Sequence, residues 1–381
     1  MFQGLRRLGG LTLAIVLVVA TPSAQLRRAE AGAGGVTENF EVVGHLSFPG
    51  PTPEGDIALF DYGGDVGNHA FIGAWREPCT GKPVRIVDVS DPTQPRVVGR
   101  ADSGEGTSSE DVVVRRIGDR VVLATGIQAC FHHGRHGLAL FDVTDPANPR
   151  HLSFTSTPGH GVHELDVVVR PDGRALALLA TPYTEFTFPG SRKTTSGEFR
   201  IVDITHPKNP VRLADWGIQR DSNLTMFDTG EPVKGSLQGL GYYPAHFGHS
   251  VRAVDDGDTA YVSYWDGGVL KFDISEPSKP LLIGRTTFPP DADGDAHSMT
   301  TYDVGGERYI FQNDEDFDPL APAKITANVS GDVFYGLEQH PMPALLTETG
   351  ETTSSFHDAK NGCDPDMRGA QDQIVIASVP P

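Results

Sequence analysis

Four stretches of the chain follow one grammar: VRIVDVSDPTQPRVVG (84–99), LALFDVTDPANPRHLS (138–153), FRIVDITHPKNPVRLA (199–214) and VLKFDISEPSKPLLIG (269–284). Each has an apolar run, an Asp (Asp88, Asp142, Asp203, Asp273), one more β-branched residue, a Ser or Thr, and two prolines three apart. The apolar run reads as a buried strand. The prolines lack an N–H and fix φ, so the ladder must stop and the chain must turn before the next apolar run. Two further strands precede the later copies as tight hairpins: 111–116 with 120–126 around Ile117-Gly118-Asp119, and 166–170 with 174–180 around Pro171-Asp172-Gly173. SVRAV and TAYVSYW around Asp255–Asp258 do the same in the fourth unit.

Each unit is therefore four antiparallel strands, and a sheet of that size cannot bury both faces alone. Stacking such sheets radially about an axis covers them, which predicts an all-β chain folded as a β-propeller of four-stranded blades, with at least four or five blades visible. The repeated Asp residues are 54, 61 and 70 residues apart, so loops such as 184–197 and 220–244 hold the excess over a usual blade. FEVVGHLSF (40–48) reads as an outermost strand without its own blade, placed to close the ring by joining the last one, and 297–317 begins a fifth unit. The third strands VRIVD and FRIVD resemble the LVIVD-repeat family of exported bacterial propellers, a resemblance that implies a propeller domain over 40–318.

The grammar changes after about Ala321. ITANVSGDVFYGLEQHPMPALL and NGCDPDMRGAQDQIVIASVPP resemble the first half of a protease-associated (PA) domain, which implies a partial α/β or β lobe over 321–381 and a binding or lid role without catalysis. At the other end, Arg6 and Arg7, an apolar run from Leu11 to Ala20 and small residues through Ala24 have the order of a secretory signal peptide over 1–24. Export to the cell surface or extracellular space follows, with no membrane span after signal removal. Of three cysteines, Cys79 and Cys130 hold comparable places before strands of the same type and form the expected pair, while Cys363 lacks a partner.

Composition narrows the chemistry. With 50 acidic against 31 basic side chains the formal charge is −19, which repels polyphosphates and excludes nucleic acid as a partner. No Gly-rich phosphate loop, HExxH, GxSxG or CxxC pair is present, so nucleotide and covalent chemistry have no motif. The histidines have one. Aligning the first strands of successive units puts Ser108, His163, His249 and His297 at one position, converging on one mouth of the central channel. Imidazoles gathered there either hold a transition metal such as zinc, with water or Asp295 completing the shell, or simply fix neighbouring blades. Strict strand alternation puts Glu164 on the opposite face from His163, which makes it a poor ligand unless a bulge turns it. Asp291, Asp293 and Asp295 alternate like oxygen ligands in a calcium loop, although the Glu of an EF-hand loop is missing, and CFHHGRHG (130–137) is a second His-rich patch. These features fit an exported non-enzymatic scaffold for a protein or surface ligand. The alternative is a metal-dependent oxidoreductase or hydrolase with its histidine site at the channel.

Overall fold

The computed structural model describes residues 41–48, 54–74, most of 84–129, 134–182 except 160, 196–222, 248–286 except 265–266, 296–304, 307–314, 344–347, 356–357 and 373–378. The regions 1–40, 75–83, 130–133, 183–195, 223–247, 287–295, 315–343 and 358–372 lie outside this description, and with them the signal segment, all three cysteines, and Asp291, Asp293 and Asp295.

The described chain is almost entirely strand. After β1 (Glu41–Ser47) come five sheets. The first holds β2 (Glu54–Asp61), β3 (Asn68–Ala74), β4 (Val84–Asp88) and β5 (Arg96–Ala101). The second holds β6 (Thr107–Ser108), β7 (Val112–Ile117), β8 (Arg120–Ala129), β9 (Gly137–Asp142) and β10 (Arg150–Ser156). The third holds β11 (Leu165–Val169), β12 (Ala175–Ala180), β13 (Phe199–Asp203) and β14 (Val211–Trp216). The fourth holds β15 (Gly248–Val254), β16 (Thr259–Tyr264), β17 (Val269–Asp273) and β18 (Leu281–Arg285). In the fifth, β19 (Ala296–Val304) and β20 (Glu307–Asp314) are joined by β21 (Ala344–Thr347) and β22 (Phe356–His357). β23 (Gln373–Ser378) pairs antiparallel with β1.

The four repeated-grammar strands β4, β9, β13 and β17 thus sit in four separate sheets, and the first strands β2, β7, β11, β15 and β19 pack in succession. This is a β-propeller. Its stacking follows from a period of two with both faces apolar. Along β12, Leu176, Leu178 and Ala180 point toward the fourth sheet, and Ala175, Ala177 and Leu179 toward the second. Each inter-sheet space is one apolar cluster, with Phe199, Trp216 and Phe272 filling that between the third and fourth sheets. A fully buried Leu or Phe contributes roughly 1.5–3 kcal/mol, so these layers dominate stability.

The motif's polar residues form the turn. In all four copies the Asp Oδ1 accepts the N–H of the Ser or Thr two residues on, at 3.0 Å for Asp88, 3.1 Å for Asp142, 2.8 Å for Asp203 and 2.9 Å for Asp273. The Ser90, Thr144 and Thr205 hydroxyls accept an N–H from the second strand of the same blade, that of Asn68, Val121 and Ala175. Ser275 departs, donating instead to Asp273. An i→i+3 backbone bond then closes each turn, as in Gln94 N–H to Asp91 O, with Pro92, Pro146, Pro207 or Pro277 at the second position, where a fixed φ suits the turn.

The chain ends differ from the expected arrangement. β1 does not join the fifth sheet; it pairs with β23, and Leu46 and Phe48 cover Ala70, Ile72 and Val87 on the outer face of the first sheet. The strands described beyond residue 321 build no sheet of their own, since β21 and β22 extend the fifth blade through β20.

Candidate functional site at the inner ring

The ring of first strands is interrupted in each blade by a β-bulge at the same place. Gly248 faces Tyr264 and Ser250 faces Ser263, leaving His249 extra; Ala296 faces Asp314 and Ser298 faces Asn313, leaving His297 extra. Ala180 bonds both the His163 N–H, through its carbonyl, and the Glu164 carbonyl, through its own N–H. In the second blade Gly126 donates to the Asp111 carbonyl one step beyond the Val112–Thr125 pair, so Glu110 and Asp111 take the two bulge positions. In the first, the shift between Glu54 and Ile57 leaves Gly55 and Asp56 there.

The bulge positions therefore carry Gly55, Glu110, His163, His249 and His297, followed by Asp56, Asp111, Glu164, Ser250 and Ser298. This corrects one sequence expectation and meets the exception attached to another. Ser108 is not the equivalent of the histidines. It lies in β6, and Glu110 holds their position, because the turn after β11 is one residue longer than the two-residue turn after β7 and the repeated Asp-Val-Val-Val is offset by two along the strand. Glu164 does not face away from the histidines. Strand alternation fails at a bulge, which turns both of its residues to one side.

His163, His249 and His297 come from three successive blades and pack together, each buried (6%, 4% and 7% exposed). The Nε2 atoms of His163 and His249 are 2.8 Å apart with the rings edge to face, and His297 stacks against His249 at 3.8 Å between centroids. Glu164 Oε1 is 3.3 Å from His249 Nδ1 and Glu110 Oε2 is 3.1 Å from His163 Nδ1. Among the described residues, His163, Glu164 and His249 are the group whose donor atoms come close enough to share one ion. Burial, and then the charge of the neighbouring imidazole, hold His249 and His297 well below the usual histidine range, which leaves their lone pairs free of protons at neutral pH.

Carboxylates crowd the same ring. Burial, then Asp56 and Glu164, push Asp111 well above the carboxylate range, while its Oδ2 accepts the Leu165 N–H at 2.5 Å. Asp56, solvent-accessible yet enclosed by neighbouring blades, is raised to about 7 by loss of bulk water and by Glu164 and Glu110. Arg252 is the balancing cation, with Nη2 3.6 Å from Glu164 Oε2; burial lowers it, but Glu164, Asp111, Asp166 and Asp56 together raise it. Asp56, Glu110, Asp111, Gln128, Glu164 and Arg252 were not read from the sequence as site residues. Their signal is a pair of polar residues just before an apolar first strand, as in Glu110-Asp111, His163-Glu164 and His249-Ser250. Of CFHHGRHG only 134–137 is described, and there the Arg135 guanidinium lies over the Phe154 ring.

The class these observations define is a β-propeller of four-stranded blades with a polar, histidine-bearing inner ring. Two segments, 66–103 and 253–287, match the LVIVD repeat, each spanning one of the strand–turn–strand copies above. No curated protein matches the chain. Among solved structures, it is similar to a chain of Chaetomium thermophilum Polycomb Repressive Complex 2 bound to GSK126, at 12% identity and a TM-score of 0.43 over 73% of this chain and 53% of that one. It thus spans about half the length of that relative. A protein from Lactobacillus plantarum matches at 11% identity and a TM-score of 0.45, covering 75% of this chain and 66% of the other. A GH43 β-xylosidase/α-arabinofuranosidase from a compost microbial metagenome matches at 11% and 0.41, covering 84% and 98%. At these scores the fold rests on the chain's own strand pairing.

Proposed function

We propose that the chain is an exported β-propeller scaffold whose inner ring holds a divalent transition metal between His163 and His249. The observation that carries this is the pair of buried Nε2 atoms, 2.8 Å apart and contributed by different blades. Two ligands of a tetrahedral ion at about 2.0–2.1 Å stand roughly 3.3 Å apart, so loading requires the pair to part by only about half an ångström. Burial of all three rings fits a closed site that staples blades together, as structural metal sites do, and so supports the scaffold reading over catalysis. Export is supported by the charged, apolar and small-residue order of positions 1–24.

The test is metal analysis of protein purified without added chelator, beside His163→Ala and His249→Ala. One equivalent in the wild type and loss in both variants is expected; wild-type protein without metal that also fails to take up added zinc overturns the reading. One observation favours the alternative, a metal-dependent oxidoreductase or hydrolase: the accessible Asp56, raised to about 7, is placed to transfer protons at neutral pH. That reading requires a metal-dependent turnover that Asp56→Asn abolishes with metal content unchanged.

A further inference from the structure

We propose that Glu110 and Glu164 are positioning residues, each standing on the Nδ1 side of one imidazole and turning its Nε2 toward the shared ion; this rests on the metal reading above. The two histidines are held in mirrored ways. His163 Nδ1 faces Glu110 Oε2 at 3.1 Å and Gln128 Nε2 at 2.5 Å, and Gln128 Nε2 is itself 3.4 Å from Glu110 Oε2. His249 Nδ1 faces Glu164 Oε1 at 3.3 Å, and the other oxygen of Glu164 is 3.6 Å from Arg252 Nη2. Both rings thus present Nε2 to each other and Nδ1 to a carboxylate. In each case the carboxylate comes from the blade before that of the histidine it faces.

The two Nε2 atoms face each other and so are the pair an ion would join, which leaves each carboxylate on the Nδ1 side placed to accept Nδ1–H. A carboxylate accepting Nδ1–H fixes the tautomer with its Nε2 lone pair exposed, limits ring rotation and raises the basicity of the ligand. Without metal, Gln128 donates to His163 Nδ1 and His163 Nε2–H to His249 Nε2, while His249 Nδ1 stands 3.3 Å from Glu164 Oε1 with no hydrogen bond formed between them. An ion replaces the Nε2 proton shared by the pair. His163 then carries its proton on Nδ1, where Glu110 Oε2 accepts it once the Gln128 amide, which donates to that nitrogen without metal, turns its N–H away. Glu164 therefore acts through His249 and not as a ligand, even though its oxygens lie close to both rings.

The experiment is a Co²⁺ titration of the full chain, following the d–d absorption bands, with Ala and Gln variants at Glu110 and Glu164 and with His163→Ala and His249→Ala. Glu110→Ala and Glu164→Ala are expected to weaken Co²⁺ by about 10–100-fold with the band positions unchanged, because the ligands are unchanged. The Gln variants should recover part of that loss, since an amide carbonyl accepts the same Nδ1–H. Wild-type affinity in both Ala variants overturns the proposal, and so does a shift of the bands in Glu164→Gln, which would make Glu164 a ligand. A purely structural role would lower the thermal midpoint without moving Co²⁺ affinity. If His163→Ala and His249→Ala bind Co²⁺ like the wild type, the metal reading itself falls, an outcome distinct from failure at the two carboxylates.

Discussion

Asp142 shows how much one residue of the repeated motif does. Its Oδ1 accepts the Thr144 N–H, while Oδ2 takes guanidinium hydrogen bonds from Arg120 at 2.6 Å and Arg150 at 2.9 Å, and the side chain is 2% exposed. Burial pushes its pKa up, but Thr144 and the two guanidinium groups outweigh burial and hold it below the ordinary value. A carboxylate whose pKa is depressed on folding contributes stability that is present above the unfolded value near 3.8 and is lost as pH falls through the folded value. Asp142→Ala should therefore cost about 1–3 kcal/mol at pH 7, the range for losing charge-assisted hydrogen bonds. In urea unfolding the gap between wild type and variant should narrow below pH 4. A gap of the same size at pH 7 and at pH 2.5 would show that the charge is not what matters. The role of this Asp was only half legible: the repeat marked it, but its partners Arg120 and Arg150 carry no motif.

At the scale of the element, the bulge is what the sequence concealed. The strands were readable, because a period of two with β-branched residues has few other solutions, and the prolines told where each third strand stops. A bulge leaves no such mark. It adds one residue to one strand, and matching Asp111-Val-Val-Val to Asp166-Val-Val-Val by identity missed the two-residue offset, which an even shift makes invisible to the alternation of faces. The three histidines were found because they share the bulge position itself. Glu110 was missed because it shares that position under another residue type. The bulge also demands small neighbours. At Gly73 of β3 a Cβ would stand 1.8 Å from the Glu110 carbonyl oxygen, a backbone atom that cannot step aside, whereas at Gly284 of β18 it would meet nothing within 4 Å. Gly73→Ala should accordingly lower stability by about 2 kcal/mol or more, and Gly284→Ala should be neutral or slightly stabilising. Thermal unfolding of the two variants side by side checks this, and equal midpoints would mean that the first and second blades do not meet as closely as described.

At the scale of the molecule, a propeller is a chain of nearest-neighbour interfaces, and its ends are where local sequence is silent. The pairing of β1 with β23 joins residues more than 300 positions apart, and no pattern within either strand names the other. The blades between them hold together through apolar layers, each shared by two sheets only, so stability resembles a sum of neighbour terms. A metal between His163 and His249 adds a bond across one of these boundaries, that between the third and fourth blades, and so belongs to the ring and not to either blade. Because the pair is assembled only when the two blades stack, the ion binds the folded ring and not the unfolded chain, and its contribution follows mass action. Free zinc at about 100 times its dissociation constant should stabilise by roughly 2.7 kcal/mol, and each further tenfold by about 1.4 kcal/mol. The midpoint of thermal unfolding should therefore rise steadily with the logarithm of buffered free zinc and fall on chelation. In His249→Ala the same series should be flat, while Asp142→Ala, remote from the ring, should start lower and rise with the wild-type slope. A wild-type midpoint indifferent to zinc over three decades would remove the metal from the account of how the blades are held, and leave the imidazole pair as a hydrogen bond between them.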